Sequence, residues 1–257
     1  MSSTNPFNQA MWNQWVEAGK SYTKPLTHEQ FVSYKDGDLR VGLTIGKTVP
    51  VDWFDKLPGK KILGLACGGG QQGPILASHG YDVTIMDFSE KQLEGDTLVA
   101  KRENLIIRTV LADMTTTFPF DDQEFDGIFC PVSNCFIESL ENLWKECFRV
   151  LKPNGLLMVG YLNPWLYMFD ADDVWDHPEI KLEPKYALPF NSRELEKEGV
   201  VKIDPNHGYE YSHTLESQIG GQINAGFSII GFYESNDERS RLSQYGNLYL
   251  ANLSKKT

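Results

Sequence analysis

Apolar positions between Lys60 and Leu162 fall into two alternating patterns. The runs "KKILGLA" (60–66), "YDVTIMD" (81–87), "LIIRTVLADM" (105–114), "FDGIFCP" (125–131) and "LLMVGYL" (156–162) are short and nearly continuous, as in strands covered on both faces. Segments of helical character lie between them. "QQGPILASHG" (71–80) carries Pro74 in its first turn, where the missing amide costs nothing, and Gly80 at its end. "SEKQLEGDTLVAKREN" (89–104) opens on Ser89 with Gln92 three residues on, the spelling of a capping box. "SLENLWKECFRVL" (139–151) places Leu140, Leu143, Trp144, Cys147, Phe148 and Leu151 on one face, and "KPNG" is expected to stop it. This alternation predicts an α/β fold, a doubly wound and mostly parallel sheet with right-handed crossovers and helices on both faces.

The flanks depart from that rhythm. Residues 1–58 are rich in aromatic residues, and "QAMWNQWVEAG" has helical spacing, so a helical cap is expected there. Residues 162–212 are broken by Pro164, Pro178, Pro184, Pro189 and Pro205, which suggests an inserted lid. "TLESQIGGQINAGF" (214–227) predicts a further helix. "SIIGFYES" and "LYLANLS" then predict two closing strands, the terminal one antiparallel. The expected division is a single domain: cap 1–58, core 59–161 and 213–257, lid 162–212.

Charge narrows the partners. With 24 Lys and Arg against 35 Asp and Glu, the net charge is −11, and no Lys/Arg run offsets it. Nucleic-acid binding rests on neutralising phosphates, so a small-molecule partner is expected, and no nucleic acid. Mean hydropathy is −0.36 and no apolar run reaches membrane-spanning length, so no membrane partner is expected. The N-terminal residues lack a basic start followed by an apolar stretch. Cys67, Cys130, Cys135 and Cys147 contain no CxxC pair and are expected to be reduced thiols, consistent with a cytoplasmic protein.

The chemistry gathers in "ILGLACGGGQQGPILASHGYDVTIMD", residues 62–87. A strand, a glycine turn and a helix start expose free backbone amides to a ligand. Gly68, Gly70 and Gly73 match G-x-G-x-x-G, and Asp87 closes the next strand where a ribose-binding acid is expected. By that spelling the ligand could be NAD. The fuller set of motifs, "ILGLACGGG", "VTIMDFSEKQL", "LADMTTTFPFDDQEFDGIFC" and "ECFRVLKPNGLLMVGYLNP", resembles the class I S-adenosylmethionine-dependent methyltransferases of small molecules, which have a Rossmann-like fold. The resemblance is dense over 60–163. It implies S-adenosylmethionine as cofactor, with Ala66, Gly68 and Gly70 in the turn around its methionine part. It further implies Asp87 on both ribose hydroxyls, Phe88 on the adenine face, Asp113 on the exocyclic amine and Met114 on a ring nitrogen. Pro131 would lie beside the methionine portion. Two positions depart from the pattern: Gly64 stands where the family has an acid and Ala66 where it has its first glycine.

Two other functions remain open at this level. An NAD-dependent dehydrogenase of the short-chain type would need a Tyr-x-x-x-Lys pair, and no Tyr here has Lys four residues on. A cofactor-binding accessory protein without chemistry is the other, since the acid is missing at Gly64. For a methyltransferase, Asn134, Tyr161 and Asn163 follow strands four and five and are candidate contacts to the acceptor. Trp165, Tyr167, Phe169 and Trp175 of the lid could line an apolar pocket. His177, His207 and His213 are candidate bases, with His213 preferred because it precedes the terminal helix. The acidic "DADD" (Asp170, Asp172, Asp173) is expected to be a solvated turn, and no metal is expected.

Overall fold

In the computed structural model, residues 6–175, 181–203 and 207–257 are described. The chain enters through α1 (Pro6–Glu17), α2 (His28–Lys35) and α3 (Val51–Asp55). It then alternates β1 (Lys61–Leu65), α4 (Gln72–Ser78), β2 (Asp82–Asp87), α5 (Glu90–Glu103), β3 (Ile107–Leu111), β4 (Phe125–Cys130), α6 (Glu141–Val150) and β5 (Leu151–Leu162). The short helices α7 (Ala171–Trp175) and α8 (Ser192–Lys197) lie in the expected lid, and α9 (Gly221–Ala225), β6 (Phe227–Ser235) and β7 (Tyr249–Lys256) close the chain.

The strands form one seven-stranded sheet in the order β3-β2-β1-β4-β5-β7-β6. β1 to β5 are mutually parallel, and β7 runs antiparallel between β5 and β6. Alternate residues feed two cores, because successive side chains leave opposite faces of a strand. Leu63, Leu65, Leu157, Val159 and Tyr161 join Trp144, Leu143 and Cys147 of α6 on one face. Ile62, Val83, Ile85, Leu156 and Met158 join Trp53, Phe54, Ile75 and Leu76 on the other. Coverage on both faces explains why the strands carry continuous apolar runs. Strand order reverses at β1, between β2 and β4, so a crevice opens there at the carboxyl ends of the parallel strands.

Several boundaries differ from the expected ones. "KPNG" does not stop α6 ahead of a later strand. Leu151 already pairs with Phe125, and the ladder resumes at Gly127 with Leu156. The four residues between bulge out of β5, with Asn154 at φ 64° and the Lys152 ammonium 2.9 Å from the Asp126 carboxylate. A bulge takes extra residues without ending the pairing. The third strand is shorter than its apolar run, and the terminal helix is one π-helical turn, Glu216–Gly220, running into α9. Gly226, at φ 108°, ends that helix.

Candidate active site

A cavity of about 600 Å³ opens at the carboxyl ends of the first four strands. One wall is made by Ala66 after β1, Met86 and Asp87 at the end of β2, then Phe88, and Ala112, Asp113 and Met114 after β3. Val132 and Ser133 after β4 line it as well. Each of these residues lies at the carboxyl end of a parallel strand or within three residues after it.

Asp87 is the chemical centre of that wall. Its Oδ2 accepts from the Gly68 amide at 3.1 Å and its Oδ1 from the Ser89 amide at 2.9 Å. Burial pushes its carboxyl up to about 6, partly offset by these backbone donors. The two amides use only part of the acceptor capacity of a carboxylate. Asp113 is anchored similarly, its Oδ1 accepting from the Thr115 amide at 2.8 Å. Asn142 of α6 donates to the Thr115 and Thr116 carbonyls at 3.2 and 3.0 Å, which fixes the loop after β3.

The glycine turn is packed against α5. A Cβ at Gly70 would lie 2.4 Å from the Gly95 carbonyl oxygen, so backbone meets backbone and both positions must be glycine. Gly68 and Gly70 therefore shape the wall behind Asp87 and do not themselves line the cavity. Ala66 does line it, at φ 46°, a left-handed conformation that costs an alanine about 1–2 kcal/mol. Ser89 caps α5 by accepting from the Gln92 amide at 3.1 Å. The reciprocal half of the capping box is absent, because the Ser89 amide is already taken by Asp87. The Gln92 side chain turns to the cavity instead, where its buried Oε1 has no partner.

The opposite wall is aromatic: Phe7 and Trp12 of the cap, Phe136 after β4, and Tyr209 and Tyr211 of the lid. Trp12 meets Phe136 edge to face, ring centroids 5.3 Å apart. Tyr209 and Tyr211 alternate about Glu210 on an extended segment that pairs with residues 190–192. Alternation turns both tyrosines to the cavity and sends Glu210 inward, where it accepts from the Tyr167 hydroxyl at 2.8 Å. Arg193 stands at the rim, 3.7 Å from Glu138 and above the Tyr209 ring. Asn8, fully buried, stitches cap to lid: it donates to the Tyr209 and Phe136 carbonyls at 2.8 and 3.2 Å and accepts from the Tyr209 amide at 2.7 Å. Gln9 reaches the Phe88 carbonyl at 2.6 Å, and Asn13 accepts from the Ser89 hydroxyl at 2.7 Å. Helix α1 thus joins the residues after β2 to the segment around Tyr209.

Other candidates are placed elsewhere. Asn134 is buried and donates its Nδ2 to the Gln218 Oε1 at 2.9 Å. Tyr161 sits in the core with its hydroxyl unpaired, and burial raises its phenol well above the ordinary value. Asn163 donates to the Asn247 carbonyl at 3.2 Å, and the Pro131 carbonyl accepts from the Ser133 hydroxyl at 2.8 Å. His213 lies against the Asn134 carbonyl at 3.0 Å and lines a separate open groove; burial lowers its pKa. His207 is exposed, and His177 lies outside the described residues. Trp165 and Phe169 pack on Leu242, Leu248 and Tyr249 of the body, while Trp175 is exposed. Asp170 and Asp173 face Lys185 at 3.6 and 2.7 Å. Nothing is described of the Asp172 side chain. Among the described residues no group of three or more His, Cys, Asp or Glu could hold a metal ion. All four cysteines are buried free thiols, and no described helix is long and apolar enough to cross a membrane.

Comparison with known proteins decides the family. Residues 63–159 match the family model of the methyltransferase domain. Over its full length the chain is 41% identical to the uncharacterized methyltransferase YbaJ of Bacillus subtilis, with 100% of both chains covered. The chain belongs to the S-adenosylmethionine-dependent methyltransferases. A 24-methylenesterol C-methyltransferase of Arabidopsis thaliana is 34% identical over 143 residues, 54% of this methyltransferase and 39% of the plant protein. Among solved structures, a Listeria monocytogenes S-adenosylmethionine-dependent methyltransferase superposes with a TM-score of 0.61 at 18% identity, over 80% of this chain and 96% of that one. A Burkholderia thailandensis 1,6-didemethyltoxoflavin N1-methyltransferase, solved with S-adenosylhomocysteine bound, superposes with a TM-score of 0.58 at 13% identity, over 98% and 88%. These two share the fold. The matches support neither the dehydrogenase nor the accessory alternative. The cavity suits S-adenosylmethionine as cofactor: a buried carboxylate with spare lone pairs stands beside an aromatic ring and a second anchored carboxylate.

Proposed function

We propose that this methyltransferase acts on a small-molecule acceptor held between the cap helix and the lid, against the aromatic wall of the cavity. The observation that carries the reading is the continuity of that cavity. The same space is bounded by Asp87, Phe88 and Asp113 at one side and by Phe7, Trp12, Phe136, Tyr209 and Tyr211 at the other. The cofactor, when bound, supplies a methyl group already activated on a sulfonium. The residues have the remaining tasks. Asp87 accepts from the ribose hydroxyls. Phe88 covers one adenine face, Asp113 accepts from the exocyclic amine, and the Met114 amide faces a ring nitrogen. The Ala66 turn bounds the methionine portion.

Positioning dominates such chemistry, because holding the acceptor in line replaces a bimolecular encounter. Flat aromatic walls suit a planar or apolar acceptor. No histidine lines the cavity among the described residues, so we infer an acceptor that needs little help to lose a proton: an amine, a thiol, an acidic phenol or an activated carbon. The acidic surface argues against nucleic acid as acceptor. The direct test is mass spectrometry of the purified protein for co-purified ligands, then a panel of small acceptors assayed for S-adenosylhomocysteine release. Release with a planar or apolar member supports the reading. Turnover only on a nucleic acid or a protein side chain overturns it.

A further inference from the structure

Asp96 is fully buried in the middle of α5 and has no place in the apolar pattern of that helix. Its Oδ2 lies 3.0 Å from the Gly69 amide, which it shares with the Gln92 carbonyl at 2.9 Å. The Gly70 amide also bears on the carboxylate, and Oδ1 has no partner. Among the described residues no Lys or Arg contributes to its environment, and burial raises its pKa to about 7. A charge buried without a cation is costly, and backbone donors are what offset it here.

The same space is closed from the β1 side. A Cβ at Gly64 would lie 2.4 Å from Ile85 Cδ1 and 3.3 Å from Cys67 Cβ. A Cβ at Gly73 would lie 2.9 Å from that same Ile85 carbon and 3.0 Å from Asp96 Oδ1. Ile85 and Cys67 thus fill the space that a side chain at position 64 would enter, and Asp96 stands beyond Ile85, against Gly73. Among the described residues, the carboxylate that serves the Gly69 and Gly70 amides arrives from α5.

We propose that Asp96 is the positioning residue of the glycine turn: its carboxylate, reaching across from α5, holds the Gly69–Gly70 backbone in the shape that receives the methionine portion of the cofactor. It does so in a chain whose own β1 offers no acid at position 64, where Gly64 stands. The inference rests on the cofactor placement proposed above. Asp96 touches the turn and not the ligand, so its effect is on cofactor affinity through backbone shape.

The test is S-adenosylhomocysteine titration by calorimetry on folded protein, with melting temperature recorded alongside. Asp96→Ala is expected to weaken binding tenfold or more. Asp96→Asn, which keeps an acceptor oxygen at the same place, is expected to stay within about threefold of wild type. Asp96→Leu fills the volume without an acceptor and replaces the alanine variant should that one not fold. The triple variant Gly64→Asp/Ile85→Ala/Asp96→Ala returns a carboxylate from the β1 side and is expected to recover affinity over Asp96→Ala. Amide exchange at Gly69 and Gly70 in ligand-free Asp96→Asn should match wild type. A purely structural role would lower the melting temperature and leave the affinity of folded protein unchanged. The proposal is overturned if Asp96→Ala or Asp96→Leu binds as wild type does, or if Asp96→Asn loses as much as they do. Wild-type protein that fails to bind S-adenosylhomocysteine overturns the cofactor placement itself, a separate outcome.

Discussion

Asp87 gives opposite pH dependences to stability and to cofactor binding. In the ligand-free protein its carboxyl sits at about 6, above the ordinary 3.8, because burial outweighs the Ser89 and Gly68 amides. A folded-state value above the unfolded one stabilises the fold fully below the unfolded pKa, and that stabilisation is lost as pH rises through 6. The shift of about 2 units corresponds to about 3 kcal/mol over the whole range, of which roughly half is gained between pH 7 and pH 5. Asp96, raised to about 7, acts in the same direction. Ligand-free protein is therefore expected to melt at higher temperature at pH 5 than at pH 7. Binding runs the other way, since the ribose hydroxyls donate to the ionised form. At pH 8 Asp87 is ionised, at pH 6 half so and at pH 5 about one-tenth so, which predicts about tenfold weaker S-adenosylhomocysteine affinity at pH 5 than at pH 8. Calorimetry in two buffers of different ionisation enthalpy should detect proton release near pH 6, and the Asp96→Asn background removes the second titration. Asp87→Ala should abolish the pH dependence attributed to Asp87 and cost about 1.5–3 kcal/mol of binding at pH 8. Affinity that stays flat from pH 5 to 8, or strengthens on acidification, would refute the assignment of the ribose to Asp87.

Asn8→Ala leaves the partly buried amide and carbonyl of Tyr209 without this partner, so it should lower stability by about 1–3 kcal/mol. Acceptor KM in that variant should rise more than cofactor KM changes, as read from initial rates once an acceptor is known. Replacing 165–205 by a Gly/Ser linker should leave S-adenosylhomocysteine affinity near wild type and abolish methyl transfer, because Arg193 leaves with the segment and Tyr209 and Tyr211 lose the residues they pair with; full activity would show that the acceptor is held elsewhere. Ala66→Gly relieves a left-handed alanine at φ 46° and should change stability by less than about 1 kcal/mol in chemical denaturation. An ordinary Ala→Gly change loses stability, so a clear loss here would show that the turn carries no strain at Ala66.

Legibility in the sequence followed the range of the interaction. The strands and α5 and α6 were readable because burial on two faces or one stripe writes itself into nearest neighbours: Leu63 and Ile62 go to opposite cores, and Ser89 caps its own helix. Asp87 and Asp113 were readable because a strand end fixes where the next carboxylate stands. The bulge at Lys152–Gly155 was not, since "KPNG" stops a helix and loops out of a strand equally well, and only the pairing of Leu151 with Phe125 decides between them. The aromatic wall of the cavity was hidden for a different reason. Asn8 and Tyr209 meet across 201 positions, and no periodicity within either segment announces a partner at that distance. The alternation Tyr209-Glu210-Tyr211 is the one local signal that the lid presents a two-tyrosine face.

Gln92 and Asp96 show how a local rule is displaced by a tertiary one. The sequence assigns Gln92 to a capping box, but the Ser89 amide it would serve is taken by Asp87, two residues before it. Gln92 is thereby released to the cavity, one helical turn from Asp96, and both carry a buried oxygen without a partner. A mid-helix Asp next to a glycine ordinarily signals a solvated face of modest helix propensity. Here Gly95 is glycine because the turn presses on it, with a Cβ there only 2.9 Å from the Gly69 carbonyl carbon. Asp96 is acidic because the turn's amides point at it. The two oddities of α5 and the two departures at Gly64 and Ala66 are then one arrangement: the turn is supported from the helix behind it, so β1 can be small at 64 and the chain tolerates a left-handed alanine at 66.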